Sequence, residues 1–230
     1  MPKIAIIFYM LFSERSIDLK DIVLFGAGGS GREIAFLIER INRTEKKYNL
    51  LGFVDDNEKM WGQVLNSVPV LGGTEWLIEH KDSVYCNVTI GLMGPRVAVC
   101  DKLEAAGIMF ETLIDPTASI GPDVIIGRGC IVNEHCELPV NIRVGDYVFL
   151  NSDTCLGHDD IIGNYTICNP HVVISGACEI GEKVMIGGMS FLVQMAKVGA
   201  GAVIAPGSVV YGRVKAGNHV MGNPARKVNL

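Results

Sequence analysis

An aliphatic or small residue occupies every sixth position in the C-terminal half of this chain, from Ile114 to Ala216. A glycine often follows it, and a compact residue (alanine, cysteine, serine or threonine) often stands four positions after it. A strict six-residue period is typical of a parallel β-helix, in which three short strands make one eighteen-residue coil. The aliphatic residue points into the resulting prism, and the compact residue fills the corner beside it. The pattern therefore predicts about six coils over residues 111–222, stacked roughly 4.8 Å apart.

Composition limits the possible partners and the compartment. The net charge is −5 and charges of both signs are mixed along the sequence, which argues against nucleic acid as a partner. None of the seven cysteines forms a CxxC pair. Cys130, Cys136 and Cys178 fall on corner positions of the repeat and Cys168 on an aliphatic position. We therefore expect reduced, buried thiols in a cytoplasmic protein, not disulfides or a metal site.

The two ends of the chain lie outside the repeat. The N-terminal extension, residues 1–20, contains an apolar run from Ile4 to Phe12. This run is too short to span a bilayer and no small-residue cleavage site follows it, so no membrane span is expected and no function is assigned. Residues 223–230 form a short C-terminal tail.

Residues 21–110 alternate short apolar strands with amphipathic helices, which is typical of a parallel α/β sheet. A strand at 22–25 leads into the glycine cluster 26–31 and then into a helix, and a second strand ends on Asp55 and Asp56. Further along, Thr74 is placed to cap a short helix. The predicted fold is an α/β, Rossmann-like half-domain followed by a left-handed parallel β-helix.

The glycine cluster fits the pattern GxGxxG between a strand and a helix, with an acidic pair about two dozen residues later. In this setting, backbone N–H groups at a helix N-terminus bind phosphates, and a carboxylate binds a ribose or a base. A redox dinucleotide usually needs two βαβαβ halves, whereas this domain ends near residue 110. A mononucleotide or a nucleotide sugar therefore fits better, and a tight turn without any ligand is the alternative.

One unit of the repeat departs from the pattern: Leu156-Gly157-His158-Asp159-Asp160. Asp160 takes a corner position that is elsewhere small and uncharged, and His158 faces outward with an acid beside it. An imidazole can take up a proton near neutral pH, and an adjacent carboxylate can orient its ring. The unit therefore indicates a general base in a groove between two prisms, and the alternative is an exposed histidine in a surface turn.

His135 and His171 are the other candidates for chemistry, as metal ligands. They lie two coils apart, so they share a face at a separation of roughly 10 Å. Because zinc requires ligand atoms at about 2.1 Å, both cannot bind one ion within a single prism, and no metal is expected.

Taken together, these segments resemble the bacterial sugar O-/N-acyltransferases of the hexapeptide-repeat superfamily. That family includes sialic-acid O-acetyltransferases and the UDP-4-amino-sugar N-acetyltransferases of bacillosamine and perosamine-type pathways. The resemblance covers about residues 21–228 and is carried by Ile22 to Gly31, Gly52-Phe53-Val54-Asp55-Asp56, Val68-Pro69-Val70-Leu71-Gly72, Asp115-Pro116-Thr117-Ala118, Leu150-Asn151, Gly157-His158-Asp159 and Gly222-Asn223-Pro224-Ala225-Arg226. Two positions differ from the family pattern: Ser30 stands where a histidine is usual, and Asp159 where glutamate is frequent.

The resemblance implies a role for individual residues. His158 would be the general base toward the acceptor amine or hydroxyl, and Asp159 would support it. The substrate-binding residues would be Gly28, Gly29 and Ser30 along a sugar-nucleotide diphosphate, Asp55 and Asp56 near its base or ribose, Gly72 closing that pocket, and Asn151 in the groove of the base. Acetyl-CoA would lie along the prism axis on exposed backbone at Gly176, Gly188 and Pro206, with Arg226 near its phosphates. The Gly176 N–H would polarise the thioester carbonyl.

The leading hypothesis is an acetyl-CoA-dependent N-acetyltransferase that acts on a nucleotide-linked amino sugar, with UDP as the expected nucleotide. Transfer would be direct, in a ternary complex, without a cysteine nucleophile. A homotrimer is expected because prisms of this class complete the groove by three-fold packing. Two alternatives stay open: an O-acetyltransferase acting on a sialic acid or another sugar hydroxyl, and a non-catalytic β-helix that serves as a scaffold.

Overall fold

The computed structural model describes residues 19–229, so the apolar run from Ile4 to Phe12 lies outside the described residues. The N-terminal part is a six-stranded sheet with three helices. Its strands are β1 (Lys20–Phe25), β2 (Tyr48–Val54), β3 (Val64–Leu65), β4 (Val68–Gly72), β5 (Tyr85–Val88) and β6 (Met109–Phe110). Its helices are α1 (Gly29–Thr44), α2 (Thr74–Glu79) and α3 (Met93–Ala105), with a short 3₁₀ turn at Glu58–Met60. The strand order is β3-β4-β2-β1-β5-β6, and every neighbouring pair is parallel except the β3–β4 hairpin.

The rest of the chain is a left-handed β-helix with three faces. The first face contains β7 (Leu113–Ile114), β10 (Ile131–Val132), β13 (Phe149–Leu150), β15 (Ile167–Cys168), β18 (Met185–Ile186), β21 (Val203–Ile204) and β24 (His219–Met221), closed by the antiparallel strand β25 (Arg226–Val228). The second face contains β8 (Ser119–Ile120), β11 (Glu137–Leu138), β16 (Val173–Ile174), β19 (Phe191–Leu192) and β22 (Val209–Val210). The third face contains β9 (Ile125–Ile126), β12 (Arg143–Val144), β14 (Ile161–Ile162), β17 (Glu179–Ile180), β20 (Lys197–Val198) and β23 (Arg213–Val214).

The aliphatic series fills the prism as predicted, because its members form one continuous buried cluster from Val132 to Val210. The prediction is wrong at its two ends. Ile120 is 40% exposed in the first coil. In the last coil Val198 pairs with Val214, and Ala216 is exposed. The turn before β23 contains only two residues, so the last coil is two residues shorter than the others.

The N-terminal domain packs against the first face of the prism. The buried residues of α1 recur at helical spacing, and Ile34 and Leu37 lie in one cluster with the outward-facing Leu113, Ile131 and Phe149. This packing fixes the position of the α/β sheet relative to the coils.

The cysteines at repeat positions are buried and free, as expected, and Cys155 is the one that is partly accessible among the described residues. Desolvation by burial raises the pKa of the Cys136 thiol to about 12, which keeps it neutral. Over residues 19–229, no helix has the length and apolar character required to cross a membrane.

Candidate active site

The corner between the second and third faces carries His158 and Asp159. His158 Nδ1 lies 2.7 Å from Asp159 Oδ2, and the two side chains are 54% and 52% exposed. Because a carboxylate only accepts hydrogen bonds, Nδ1 carries the proton and Nε2 holds the lone pair. The pair therefore has the arrangement of a base with an orienting acid.

A further residue, Asn141, holds the acid in place. Its Nδ2 donates to Asp159 Oδ1 at 3.1 Å from one coil below. The hydrogen bonds from His158 and Asn141 hold the pKa of Asp159 below its ordinary value. Sequence reasoning missed Asn141, although its spacing of eighteen residues from Asp159 was the available signal.

Gly176 lies one coil above His158 and directly against its ring. A Cβ at this position would meet His158 Nε2 at 2.5 Å, so only glycine leaves room for the imidazole. The Gly176 N–H donates to no acceptor among residues 19–229. The expectation of exposed backbone here is wrong for a single chain, because the imidazole covers Gly176 and buries it.

Asn151, Gly188 and Pro206 lie at a different corner, between the first and second faces. Asn151 Oδ1 accepts from Asn133 Nδ2 at 3.0 Å and from the Ser152 N–H at 2.9 Å. Within one chain the structure does not bring this corner to His158. The predicted site residues of the β-helix are thus divided between the two edges of the second face.

A cavity of about 660 Å³ lies near the C-terminal end of the prism. Basic side chains line it and no acidic one does: Arg213, Lys215, Arg226 and Lys227. Gly212 also lines the cavity and belongs to the same corner as His158 and Gly176, at steps of eighteen residues. Arg226 was expected near phosphates, whereas Arg213 and Lys215 were missed because they sit within the repeat.

The glycine loop opens into a cleft of about 370 Å³ beside the ends of β1 and β2. This cleft brings together the expected residues Gly28, Gly29, Ser30, Asp55 and Asp56. The sixth, Gly72, is not part of the lining and instead accepts a backbone hydrogen bond from Asp55 at 2.8 Å.

Both carboxylates of the cleft are already hydrogen-bonded to the protein. Asp55 accepts from the N–H groups of Ala27 and Asn57, each at 2.9 Å. Asp56 Oδ1 accepts from the Thr74 N–H and from Thr74 Oγ1, both at 2.8 Å. The prediction that Thr74 caps α2 is therefore wrong, since it is the first helical residue and Asp56, two residues after β2, supplies the cap.

These contacts set the charge of Asp56. Desolvation by burial opposes ionisation, but the hydrogen bonds from Thr74 and Lys102 outweigh it and hold the pKa of Asp56 below its ordinary value. Asp55 and Asp56 therefore act mainly by holding the glycine loop in shape, and few of their oxygen lone pairs are free to accept from a ligand.

Arg32 adds a positive charge at the glycine loop. It lies in the first turn of α1, where its Nη2 would be 4.0 Å from a Cβ on Gly29. Ser30 Oγ, in the same turn, is buried and has no hydrogen-bond partner among the described residues. Sequence reasoning missed Arg32 because a single basic residue at a helix start carries little signal.

The described part of the chain contains no cluster of three histidine, cysteine or acidic side chains able to hold a metal ion. His171 lies beside an acid at a longer distance, with Nδ1 3.8 Å from Asp153 Oδ2.

Comparison with known proteins supports both parts of the fold. Residues 21–103 match the family described as the PglD N-terminal domain. A search of curated proteins gives no match.

Several solved structures are similar over nearly the whole chain. The acetyltransferase domain of PglB from Neisseria gonorrhoeae FA1090, in complex with acetyl coenzyme A, is 26% identical, with a TM-score of 0.83 over 91% of this chain and 100% of that one. WeeI from Acinetobacter baumannii AYE is 27% identical, with a TM-score of 0.81 over 91% and 100%. PerB from Caulobacter crescentus, in complex with CoA and GDP-perosamine, shares the fold at 21% identity, with a TM-score of 0.81 over 93% and 100%. The fold and the family resemblance expected from the sequence are thereby confirmed.

Proposed function

We propose that this chain, a sugar acyltransferase of the hexapeptide-repeat superfamily, transfers the acetyl group of acetyl-CoA to the amine of a nucleotide-linked amino sugar. The observation that carries the proposal is the His158–Asp159 pair above Gly176, on an exposed corner of the prism. The similar structures from Neisseria and Caulobacter contain acetyl coenzyme A or CoA, and the latter also a nucleotide-linked sugar.

The chemistry requires one base and one hydrogen-bond donor. The amine nitrogen of the sugar attacks the thioester carbonyl while His158 Nε2 takes a proton from that nitrogen. Asp159 keeps the ring in the correct tautomer and stabilises the imidazolium that forms. The Gly176 N–H donates to the carbonyl oxygen as negative charge develops there. The C–S bond then breaks, and the imidazolium returns the proton to the CoA thiolate.

The corner that carries His158 also provides a surface along which acetyl-CoA can lie. From His158 through Gly176 to Gly212 the corner rises three coils, on the order of 14 Å. Gly212 borders the basic cavity, so a thioester at Gly176 places the phosphates of CoA near Arg213 and Arg226. The positive charges at this end then bind the phosphates in the nucleotide part of acetyl-CoA.

We expect Arg226→Ala to raise the KM for acetyl-CoA about tenfold and to leave kcat within twofold, because one charge-assisted hydrogen bond is worth roughly 1.5 kcal/mol or more. Acetyl-pantetheine, which lacks the nucleotide phosphates, should show no such increase. Arg43→Ala, which removes an exposed arginine paired with Glu39 on α1, is the control. An equal loss with both donors would contradict this placement of CoA.

The N-terminal cleft is proposed as the site of the sugar nucleotide. The N-terminus of α1 points its free N–H groups into the cleft, which favours a diphosphate. Asp55 and Asp56 contribute mainly by holding the loop in shape, since their oxygens bind Ala27 and Thr74.

A homotrimer is proposed because the β-helix residues of the site occupy two corners of one prism. A neighbouring chain related by three-fold symmetry can place its Asn151 corner beside His158. Sedimentation equilibrium should give three times the 24.9 kDa of one chain. A monomer with full activity would exclude a site shared between chains.

The proposed function is tested by calorimetric titration of His158→Ala, which binds ligands without turnover. Acetyl-CoA should bind, and so should UDP and a UDP-4-amino sugar, each to one site per chain. Binding of CoA without any nucleotide would instead favour an acceptor that lacks a nucleotide, such as a sialic acid. If neither ligand binds, the proposal fails.

A further inference from the structure

Between residues 115 and 193, one backbone N–H group leaves the hydrogen-bond ladder of the prism, on the corner of the proposed base. From residue 115 to 193, the residue after each aliphatic position donates its N–H to a carbonyl seventeen residues later, unless it is proline. Examples are Gly145 to Ile162 and Gly163 to Ile180, both at 2.8 Å. Gly157 is the exception, since its N–H does not reach Ile174. The second face also has only isolated bridges at Cys155 where a strand is expected.

The Asp160 carboxylate accepts a hydrogen bond from the Gly157 N–H group, which has no partner in the ladder. Asp160 Oδ2 accepts from the Gly157 N–H at 2.8 Å, and Oδ1 accepts from the Cys178 N–H at 2.8 Å. The second of these bonds is ordinary for a corner, because Thr166 Oγ1 accepts from the Val184 N–H at 3.4 Å and Thr112 Oγ1 from the Cys130 N–H at 3.2 Å. The bond from the Gly157 N–H is not ordinary, because a hydroxyl side chain has only one oxygen, and that oxygen already accepts from the next coil. A corner residue therefore needs a carboxylate to hold both turns.

We propose that Asp160 is a positioning residue for acetyl transfer, which holds the turn of His158 against the turn of Gly176 and so fixes the imidazole against Gly176. This inference rests on the proposed function. The space between the two turns is narrow, because a Cβ on Gly157 would lie 2.2 Å from the Gly176 nitrogen. A shift of about 1 Å in a reacting group can cost on the order of a hundredfold in rate.

The surroundings of Asp160 make its charge sensitive to pH. The side chain is fully buried, and desolvation raises the pKa of Asp160 to about 7, against the opposing effect of the two N–H donors and of His158. The titratable groups that face it are Asp159, which disfavours its charge, and the thiols listed here: Cys155, Cys168 and Cys178. Burial raises the pKa of each thiol, so these groups stay neutral.

Protonation of Asp160 converts one acceptor oxygen into a donor, which breaks one of the two bonds. Full activity then requires Asp160 to be ionised. As the pH falls through about 7, kcat of the wild type should lose an additional factor of about ten to a hundred, and this drop should be absent when Asp160 is replaced.

The decisive variant is Asp160→Thr, because threonine at Thr166 already shows that this side chain can accept from the next coil. Threonine should keep the Cys178 bond and lose the Gly157 bond. We expect kcat at pH 8 to fall about tenfold to a hundredfold, the KM for acetyl-CoA to stay within twofold, and the additional drop in kcat near pH 7 to disappear. The melting temperature at pH 8 should be unchanged or higher, since a carboxylate whose pKa is raised by folding destabilises the fold above that pKa.

The matched control is Thr166→Val, which removes a corner hydrogen bond on a neighbouring edge of the prism. It should lower the melting temperature and leave kcat and its pH dependence unchanged. Asp160→Thr with wild-type kcat would overturn the inference, as would a wild-type kcat without the additional drop near pH 7. If no acetyl transfer is found at all, the proposed function fails instead. Hydrogen exchange then tests the contact itself, since the Gly157 amide should exchange about tenfold faster in Asp160→Thr and at the wild-type rate in Thr166→Val.

Discussion

His158→Ala is expected to lower kcat by about a thousandfold while the protein stays folded and still binds acetyl-CoA. The loss follows from the removal of the general base, whose contribution in enzymes is typically about a hundredfold to ten-thousandfold. The imidazole is half exposed and sits on a surface turn, so its removal leaves no cavity in the core. Steady-state release of the CoA thiol measures kcat, and calorimetry measures the retained binding.

The chain supplies its own control for that experiment. His80 is also exposed, but it lies at the end of α2 in the N-terminal domain, where its Nδ1 is 2.7 Å from the Trp76 carbonyl oxygen. His80→Ala should therefore keep kcat within about twofold of the wild type. Equal losses in the two variants would mean that surface charge, not a specific base, supports the reaction.

Gly31→Ala should destabilise the N-terminal domain by about 3 kcal/mol or more, a severe effect for a single methyl group. A Cβ at this position would lie 1.9 Å from the Gly26 carbonyl oxygen, so backbone and not a movable side chain blocks it. Helix α1 would have to move away from β1, and the glycine loop that joins these two elements would move with it. Nucleotide binding should be lost together with stability.

Chemical denaturation followed by circular dichroism measures this change, and Gly94→Ala is its control. Gly94 lies in the first turn of α3, and nothing stands within 4 Å of the position of its Cβ. Alanine there should leave stability unchanged or raise it by roughly 0.5 kcal/mol, since alanine favours a helix over glycine. A Gly31→Ala protein as stable as the wild type would show that the loop can open without cost.

The repeat was predictable because its period is a direct consequence of three short strands per coil. The aliphatic positions could be assigned to the interior from spacing alone, and the buried cluster from Val132 to Val210 agrees with that assignment. The shortened last coil could not be predicted. Val214 and Ala216 are both apolar, and spacing alone does not show which of them closes the prism.

The site was predictable where chemistry departed from the pattern, as at His158 and Asp160. The contacts that support these residues were not predictable, because they join residues far apart in sequence. The cap of α2 comes from Asp56, which follows β2, and the anchor of Asp159 comes from Asn141 in the previous coil. Nor could the sequence show that the Gly157 N–H leaves the ladder, since this depends on the position of a carbonyl in the next coil.

The most direct test of the account is the product formed from acetyl-CoA and a UDP-4-amino sugar, identified by mass spectrometry and NMR. We predict one acetyl amide on the sugar for each CoA thiol released, with the product absent when His158→Ala replaces the wild type. The proposed function would be contradicted if no nucleotide-linked amino sugar, whether UDP-, dTDP- or GDP-linked, gains an acetyl group on nitrogen. Acetylation of a hydroxyl on a nucleotide-free sugar would contradict it equally, and would leave the N-terminal cleft without its proposed ligand.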